Sequence, residues 1–283
     1  MHRSFIIQQK LALLALARPF VPQSLAFLMH SNMPPQLPWL EPEDSLPDPS
    51  TAWGAGSPAP GLLAAGGALD VAHLIAAYAQ GTFPWFSADQ PILWWAPDPR
   101  MVLKVAEFRL HRSLRKTLQR FRASMACEIR IDSAFSEVIR ACSSTPRNGQ
   151  SGTWIVPEMV LAYEALHAQG TAHSVETWVD GKLAGGLYCV AIARAVFGES
   201  MFAHATDASK IALAALVCIC RHNGIELIDC QQNTSHLASL GAREMPRTEF
   251  MQHVQSQSAR PPIPWEFEPV YWNELLKSPA PTA

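Results

Sequence analysis

Two carboxylates and one amide interrupt apolar segments in the C-terminal half of the chain. They are Glu199, Asp229 and Gln231. Such groups are costly to bury on a strand unless they have partners. A carboxylate can hold a cation or accept a proton, and an amide can position an attacking group by hydrogen bonding. We therefore take these three residues as a candidate catalytic group.

The segments that carry these groups are predicted to form a strand, a helix and a second strand. Residues 196–202 and 225–231 are short apolar runs typical of buried strands, and residues 208–222 are apolar at helical length. Asp207 is expected to cap the helix through its carboxylate, and Gly224 marks its expected end. A unit of this length is a βαβ unit, so its two strands should be parallel neighbours.

Alternation along the two strands predicts which side chains share a face. On the first strand these are Phe197, Glu199 and Met201, and on the second they are Leu227, Asp229 and Gln231. Upstream helices are predicted over residues 71–80, 111–122, 133–142 and 157–168. Strands are predicted over residues 128–131, 173–180 and 183–193. An antiparallel meander that feeds a βαβ unit predicts an α/β (α+β) fold with an acyltransferase-like C-terminal domain of the N-acyltransferase type.

The composition is that of an ordinary globular protein. The net charge is −2 and 16% of the residues are charged, so any contact with nucleic acid must come from a local patch. The six cysteines form no CxxC pair and lie in apolar runs, which indicates reduced core residues. Residues 11–29 are apolar but are interrupted by Arg18 and Pro19, too broken for a membrane span. We expect a cytoplasmic protein with no cofactor and no metal.

Shifts in composition divide the chain into four segments. Residues 1–36 are expected to be a disordered or mis-annotated extension, and residues 37–99 a smaller mixed N-terminal domain. Residues 100–255 are predicted to be the catalytic domain, and the proline-rich residues 256–283 a loosely packed tail. We expect a monomer, since no exposed apolar heptad or long free edge is evident.

Two upstream segments have the composition of a nucleic-acid contact. Five aromatic residues could form either a small hydrophobic core or a stacking wall for a base: Phe83, Trp85, Phe86, Trp94 and Trp95. Residues 100–122 carry eight cationic residues against the single Glu107. On the predicted helix one stripe contains Arg112, Arg115, Lys116 and Arg120. The stripe is either a solvated face or, because no acid is interleaved, a phosphate-binding surface.

Several runs, in order and at characteristic spacing over roughly residues 38–251, resemble the bacterial leucyl/phenylalanyl-tRNA–protein transferase family. They are Gly61-Leu-Leu-Ala-Ala-Gly-Gly67, Phe83-Pro-Trp-Phe86, Ile92-Leu-Trp-Trp95, Pro97-Asp-Pro-Arg100, Gly152-Thr-Trp-Ile155, Gly198-Glu-Ser-Met-Phe202, Asp207-Ala-Ser-Lys210, Leu227-Ile-Asp-Cys-Gln231 and His236-Leu-Ala-Ser-Leu-Gly-Ala242. The family implies a cytosolic enzyme that moves leucine or phenylalanine from aminoacyl-tRNA to the N-terminal amine of proteins beginning with arginine or lysine. That tag marks them for degradation by the N-end rule. It also implies a C-terminal domain similar to the Fem-type peptidoglycan transferases.

The same resemblance implies roles for individual residues. Trp85 and Trp154 resemble the residues that hold the terminal adenosine. Leu187, Met201, Leu213, Leu216 and Ile228 resemble the walls of the aminoacyl pocket. Glu199, Asp229 and Gln231 resemble the polar catalytic group. The chain departs from the family at Phe202-Ala-His204, where Phe-Ser-Arg is usual, at residues 232–235, and at Val196 and Cys220, where some members carry phenylalanine.

These residue types suit aminoacyl transfer. An aminoacyl ester is already activated, so the protein must orient the acceptor amine rather than supply a nucleophile. We expect Gln231 to accept a hydrogen bond from that amine, and Asp229 to fix the orientation of the Gln231 amide. Glu199 is expected to hold the acceptor's amine or cationic side chain. Replacing Asp229 or Gln231 with alanine should cost activity with little loss of folding.

Three other functions are weighed against this one. An acetyl-CoA-dependent N-acetyltransferase would need a glycine-rich turn, and the strand–helix junction at residues 201–210 contains no glycine. A hydrolase built on Cys230 and His236 is disfavoured because Cys230 is predicted to lie on the strand face opposite Asp229. A non-enzymatic binder of tRNA or N-terminal peptides would retain the same surfaces without turnover.

Overall fold

The computed structural model describes residues 36–144 and 155–276. The strands of this part are β1 (Trp39–Leu40), β2 (Leu62–Gly66), β3 (Phe83–Pro84), β4 (Leu93–Trp95), β5 (Arg100–Lys104), β6 (Cys127–Ile131), β7 (Ala172–Val179), β8 (Lys182–Ile192), β9 (Ala195–Ala203), β10 (Leu227–Gln231) and β11 (Arg243–Met245). Its helices are α1 (Val71–Ala79), α2 (Arg112–Ala123), α3 (Phe135–Ser144), α4 (Pro157–Ala168), α5 (Ala208–His222), α6 (Ser235–Ser239), α7 (Arg247–Ser258) and α8 (Asn273–Leu276).

The strands form a four-stranded sheet in the order β1-β2-β4-β3 and a seven-stranded sheet in the order β11-β5-β10-β9-β8-β7-β6. The predicted βαβ unit lies in the large sheet. Strands β9 and β10 are parallel, with Val196 opposite Ile228 and Phe197 opposite Asp229. Strands β6 to β9 form the predicted antiparallel meander. The predicted α/β (α+β) fold class is confirmed.

The start of α5 differs from its prediction. Asp207 does occupy the N-cap position, but its φ is 63° and its side chain accepts no capping hydrogen bond. Its carboxylate instead pairs with Lys210 at 2.7 Å and accepts a hydrogen bond from Thr117 of α2 at 3.4 Å. The carboxylate therefore ties two helices together, because the left-handed backbone turns it away from the first N–H groups of α5.

A β-bulge in β9 corrects the predicted strand faces. Tyr188 of β8 pairs with Ser200, whereas the next residue, Cys189, pairs with Gly198, so Glu199 is an extra residue in the strand. Phe197 consequently lies in one core cluster and Met201 packs against the other. The prediction that Met201 shares a face with Glu199 and Phe197 is wrong, because the extra residue reverses the alternation.

Two hydrophobic clusters hold the fold together. One combines the small sheet with α1, α3 and α4, and the other surrounds α5 on the opposite side of the large sheet. The second cluster includes Ile263, Tyr271, Trp272 and Leu275. The expectation of a loosely packed tail is therefore wrong around these four residues, which pack into the cluster that surrounds α5.

Some predictions lie outside the described residues or stay predictions. The N-terminal extension up to residue 35 and Trp154 are outside the described part of the chain. The boundaries of the four segments remain predictions. All six cysteines are described, and all are free thiols. No helix within residues 36–144 and 155–276 is long and apolar enough to cross a membrane.

Candidate active site

A central cavity of about 330 Å³ lies between β9, β10 and α5. Nine of the predicted site residues line it: Trp85, Leu187, Glu199, Met201, Leu213, Leu216, Ile228, Asp229 and Gln231. The βαβ unit brings them together because its two strands and its helix each supply one wall. The structure thus unites the predicted catalytic group with the predicted apolar pocket.

One side of the central cavity is apolar. The five predicted pocket residues belong to the cluster around α5 or pack against it: Leu187, Met201, Leu213, Leu216 and Ile228. Cys230 and Leu237 complete this wall, and sequence reasoning missed both as pocket residues. Val196 and Cys220 are buried in the same cluster but do not line the cavity.

Glu199 forms the polar end of the central cavity. Its Oε1 accepts hydrogen bonds from the Tyr78 hydroxyl and from Nε2 of Gln231, both at 2.8 Å. Its Oε2 is buried and has no hydrogen-bond partner among the described residues. Burial raises the pKa of Glu199 to about 7, although the bonds from Tyr78 and Gln231 oppose that rise. The carboxyl group can therefore change its charge near neutral pH.

Two buried tyrosines support Glu199. Tyr78 of α1 and Tyr163 of α4 join through their hydroxyl groups. Because the Tyr78 hydrogen goes to Glu199, the Tyr163 hydroxyl is the donor between the two. Burial raises the pKa of both tyrosines, and the charge of Glu199 adds to that rise. The pair therefore stays protonated and donates toward the carboxylate.

Asp229 forms a buried ion pair with Arg100. Nε of Arg100 lies 2.8 Å from Oδ1 of Asp229, and Nη2 of Arg100 lies 2.6 Å from Oδ2. Arg100 is also held between the rings of Phe83 and Phe250, each centred 4.6 Å away. The Asp229 carboxylate therefore faces a cation, an arrangement that the sequence analysis did not foresee.

Gln231 is oriented by two different carboxylates. Asp229 accepts the backbone N–H of Gln231 at 2.9 Å, whereas Glu199 accepts its side-chain Nε2. The expectation that Asp229 fixes the amide is wrong in this respect, because Glu199 makes that contact. Gln231 also has a φ of 59°, next to a register shift in β10. With Nε2 engaged, the amide oxygen is the atom that can accept a hydrogen bond from an amine.

The aromatic segment serves mainly as core. Phe83, Phe86, Trp94 and Trp95 are buried in the first cluster, as the hydrophobic-core alternative proposed. Trp85 of the same cluster also lines the central cavity, and its ring meets that of Trp95 edge-on at 5.8 Å. Its role toward a base stays a prediction.

The cationic stripe lies on the solvent side of α2. Arg112, Lys116 and Arg120 are exposed, and Arg115 is half-buried. The helix is amphipathic because its other side buries Leu114, Leu118 and Phe121. Within residues 36–144 and 155–276, no acidic side chain pairs with the stripe.

Two contacts connect α2 to the central cavity. The hydrogen bond from Thr117 to Asp207 joins α2 to the start of α5, which carries Leu213 and Leu216. The ring of His111, at the N-cap of α2, contacts the Ser239 carbonyl of α6 through Nε2 at 2.8 Å. Helix α6 carries His236 at the rim of the cavity. These contacts join α2 to two helices, α5 and α6, whose side chains line the cavity.

Sequence reasoning missed three residues that support the polar end: Tyr78, Arg100 and Tyr163. Arg100 was grouped with the cationic segment, although its place beside Asp98-Pro99 and a buried strand could have distinguished it. The tyrosines lie among other buried residues of their helices and gave no signal, since a buried tyrosine is usual in a core. Their hydroxyl groups converge only through tertiary packing.

The Cys230–His236 alternative is disfavoured on chemical grounds. Both residues line the central cavity, so separation on opposite faces does not exclude them. Burial raises the pKa of the Cys230 thiol, with the charge of Asp229 adding to it. Burial also lowers the pKa of His236. A thiol that resists ionisation is a poor nucleophile.

No group of three or more histidine, cysteine, aspartate or glutamate side chains suited to a metal occurs in the described part of the chain. The polar end of the cavity offers a hydrogen-bond acceptor, the Gln231 amide oxygen, and one carboxyl group, Glu199, whose pKa is raised to about 7.

Comparison with known proteins identifies the family that this chain is similar to. A family model described as "Leucyl/phenylalanyl-tRNA protein transferase" matches residues 102–255, and one described as its N-terminal domain matches residues 67–98. A protein of Polaromonas sp. named leucyl/phenylalanyl-tRNA–protein transferase is 61% identical over 251 residues, 89% of this chain and 98% of that protein. Proteins of the same name are 60% identical in Albidiferax ferrireducens, covering 87% of this chain and 97% of that protein, and 59% identical in Methylibium petroleiphilum, covering 84% and 90%.

Proposed function

This chain belongs to the leucyl/phenylalanyl-tRNA–protein transferase family, a family of aminoacyltransferases, and we propose that it transfers leucine or phenylalanine from aminoacyl-tRNA to the N-terminal amine of proteins that begin with arginine or lysine. The observation that carries this proposal is the central cavity, which joins an apolar pocket to the Glu199–Gln231 pair. An apolar side chain and a cationic amine both find complementary surroundings there.

The donor's side chain occupies the apolar wall. Leu213 and Leu216 of α5, with Met201 and Ile228, suit an aliphatic or aromatic side chain. Each methylene group is worth only about 1–3 kcal/mol of discrimination in such a pocket, so selection depends on the fit of the whole wall. Trp85 offers its ring to the terminal adenosine.

The acceptor amine is positioned at the polar end. The amide oxygen of Gln231 accepts a hydrogen bond from the amine, and the ionised Glu199 attracts the positive charge that arginine or lysine brings. Asp229 keeps Gln231 in place through its backbone N–H. Acceptors lacking a cationic first residue would lose the attraction to Glu199.

The bonds change as follows. The uncharged amine attacks the ester carbonyl, a new amide bond forms, and the carbon–oxygen bond to the ribose breaks. The proton lost by the amine leaves through water or the adjacent ribose hydroxyl, and the leaving ribose oxygen ends as a hydroxyl. Because the ester is already activated, orientation supplies most of the catalysis.

The tRNA body contacts the cationic stripe on α2. Cations without ion-pair partners on an exposed helix suit phosphate oxygens. The contacts of α2 with α5 and α6 support a path from this stripe to the cavity rim. We propose that the protein acts in the cytoplasm as a monomer.

The test is transfer of labelled leucine from charged tRNA to a peptide beginning with arginine, beside the same peptide beginning with alanine. We expect label on the arginine peptide and at least about tenfold less on the alanine peptide, since losing one desolvated charge contact costs more than 1.4 kcal/mol. Label on neither peptide, with charged tRNA still bound, would support the non-enzymatic binder. Acetylation by acetyl-CoA instead would support the N-acetyltransferase.

A further inference from the structure

The central cavity passes through the large sheet between β9 and β10. The two strands are paired at only two positions, ending with Phe197 opposite Asp229, although both continue beyond them. The cavity is lined by Trp85 and Tyr188 of one core cluster and by Leu216 of the other. These clusters lie on opposite sides of the sheet, so the cavity reaches both sides through the gap.

Two irregularities open this gap. Glu199 is the extra residue of the bulge in β9, and Cys230 is the extra residue where the register of β10 shifts against β5. Cys230 follows directly on the last β9–β10 pair, and Glu199 follows it after one residue, Gly198. A bulge bends its strand and ends regular pairing, so the strands separate at the level of Gly198.

Gly198 lies at the narrow end of the gap. A Cβ added there would lie 3.3 Å from the Asp229 carbonyl oxygen and 3.7 Å from Cγ2 of Ile228. It would therefore point across the gap toward β10. The φ of Gly198 is outside the left-handed region that favours glycine, so its backbone does not itself require a glycine.

We propose that Gly198 is a specificity-determining residue, whose missing side chain leaves room for the donor's aminoacyl group to pass from the polar end into the apolar pocket. This inference rests on the proposed function and goes beyond it by naming the residue that sets the width of the passage. Ile228, the nearest side chain on the far strand, forms the other side.

The proposal predicts which aminoacyl-tRNA donor is transferred less efficiently when the passage is narrower. An alanine methyl would press on the Asp229 carbonyl oxygen at 3.3 Å, would touch Ile228 at 3.7 Å, and would take space where the side chain of the donor enters. The side chain of phenylalanine is wider than that of leucine, so a narrower passage should reduce phenylalanyl transfer more than leucyl transfer. A single methyl in a pocket of this kind changes discrimination by about 10- to 200-fold.

The experiment compares Gly198→Ala with the unaltered protein, using leucyl-tRNA and phenylalanyl-tRNA as donors. We expect kcat/KM for phenylalanyl transfer to fall at least about tenfold more than that for leucyl transfer, with the KM of the acceptor peptide unchanged. Gly54→Ala is the control, because a Cβ at Gly54 meets nothing within 4 Å. It should leave both donors unaffected.

Two further measurements make the outcome decisive. Leucine and phenylalanine joined to adenosine by an amide are titrated by calorimetry, which reports selectivity even if the protein transfers nothing. If Gly198→Ala fails to fold, Ile228→Ala widens the same passage and should shift donor selectivity toward phenylalanine. Equal effects on both donors, or an effect on the acceptor KM alone, would overturn the proposal.

Discussion

Glu199 combines burial, two hydrogen bonds to one oxygen and a second oxygen without a described partner. Desolvation disfavours its charged form, so its pKa rises to about 7. The carboxyl group is thus ionised above neutral pH and uncharged below it. A cationic acceptor should bind more tightly when this carboxyl group is ionised than when it is uncharged.

The first prediction concerns the pH dependence of acceptor binding. Between pH 8 and pH 6 the ionised fraction of a group with a pKa near 7 falls about tenfold. We expect the KM of an arginine peptide to rise by about that factor over this range in the unaltered protein. Glu199→Gln should give a high KM whose pH dependence is smaller and reflects only the titration of the peptide's own α-amine.

Stability provides an independent check on Glu199. Its folded-state pKa of about 7 lies above its ordinary value of 4.5, so ionisation of this carboxyl group lowers the stability of the fold progressively between these two values, and the loss levels off above the folded-state pKa. Glu199→Gln should therefore raise Tm more at pH 8 than at pH 6. Glu249→Gln, at an exposed position of α7, is the control. A pH-independent difference in Tm would contradict a pKa near neutrality.

The second prediction concerns the buried pair of Arg100 and Asp229. Removing one partner leaves an uncompensated buried charge, so Asp229→Ala should lower the free energy of unfolding by about 3–5 kcal/mol. This replaces the expectation that the substitution affects activity alone. Urea unfolding measures it.

The same pair offers a matched control. The double variant Arg100→Met/Asp229→Leu removes both charges and should be more stable than either single charge deletion. If either single charge deletion unfolded at the same urea concentration as the unaltered protein, the pair would not be buried as described.

At the residue scale, the sequence allowed polar groups to be found but not their partners. Glu199, Asp229 and Gln231 were evident because each interrupts an apolar strand. Arg100 lies 129 residues from Asp229 and Tyr78 lies 121 residues from Glu199. Such pairings depend on how the elements pack, which residue patterns along one strand do not determine.

At the scale of elements, regular structure was predictable and irregular structure was not. The boundaries of α4 and α5 agree with the predictions because proline, glycine and apolar periodicity mark them. The left-handed Asp207 was missed because no glycine marks it, and the bulge at Glu199 was missed although Gly198 beside it is the kind of strand glycine that can mark a bulge. The bulge lines the central cavity, where function can override local preference.

The third prediction concerns helix α2. Replacing Arg112, Lys116 and Arg120 together with glutamine should weaken tRNA binding at least about tenfold at moderate salt, because each lost phosphate contact also removes counterion release. The slope of log affinity against log salt should become shallower by about one unit for each phosphate contact. Filter binding over a salt series measures both.

A matched control for the triple variant of α2 lies elsewhere on the surface. Arg140 of α3 is exposed and pairs with Glu164 at 2.8 Å. Arg140→Gln should leave tRNA affinity and its salt slope unchanged. If the triple variant bound tRNA as well as this control, the stripe would be only a solvated face.

At the scale of the whole molecule, charge is separated along the chain. Residues 36–99 contain no lysine or arginine and have these acids: Glu41, Glu43, Asp44, Asp48, Asp70, Asp89 and Asp98. All seven are exposed. The cationic stripe follows immediately, so a low net charge conceals two oppositely charged surfaces. A polyanion is therefore directed toward α2 and away from the small sheet.

The whole molecule also builds the central cavity from distant parts of the chain. Trp85 and Tyr78 come from the segment before residue 100, and Glu199 and Gln231 come from the βαβ unit. One core cluster includes both parts. Composition suggested separate segments, but it could not show that they share a core, because apolar residues do not specify their partners.

The fourth prediction tests the central claim, that the donor's side chain occupies the central cavity while its tRNA rests on α2. Met201→Trp adds a large ring at a partly buried position on the cavity wall. The measurement is transfer of labelled leucine to an arginine peptide, with tRNA affinity and circular dichroism recorded on the same sample. We expect transfer to fall at least about tenfold, while tRNA affinity and folding stay unchanged. Full transfer by a folded Met201→Trp variant would contradict the account.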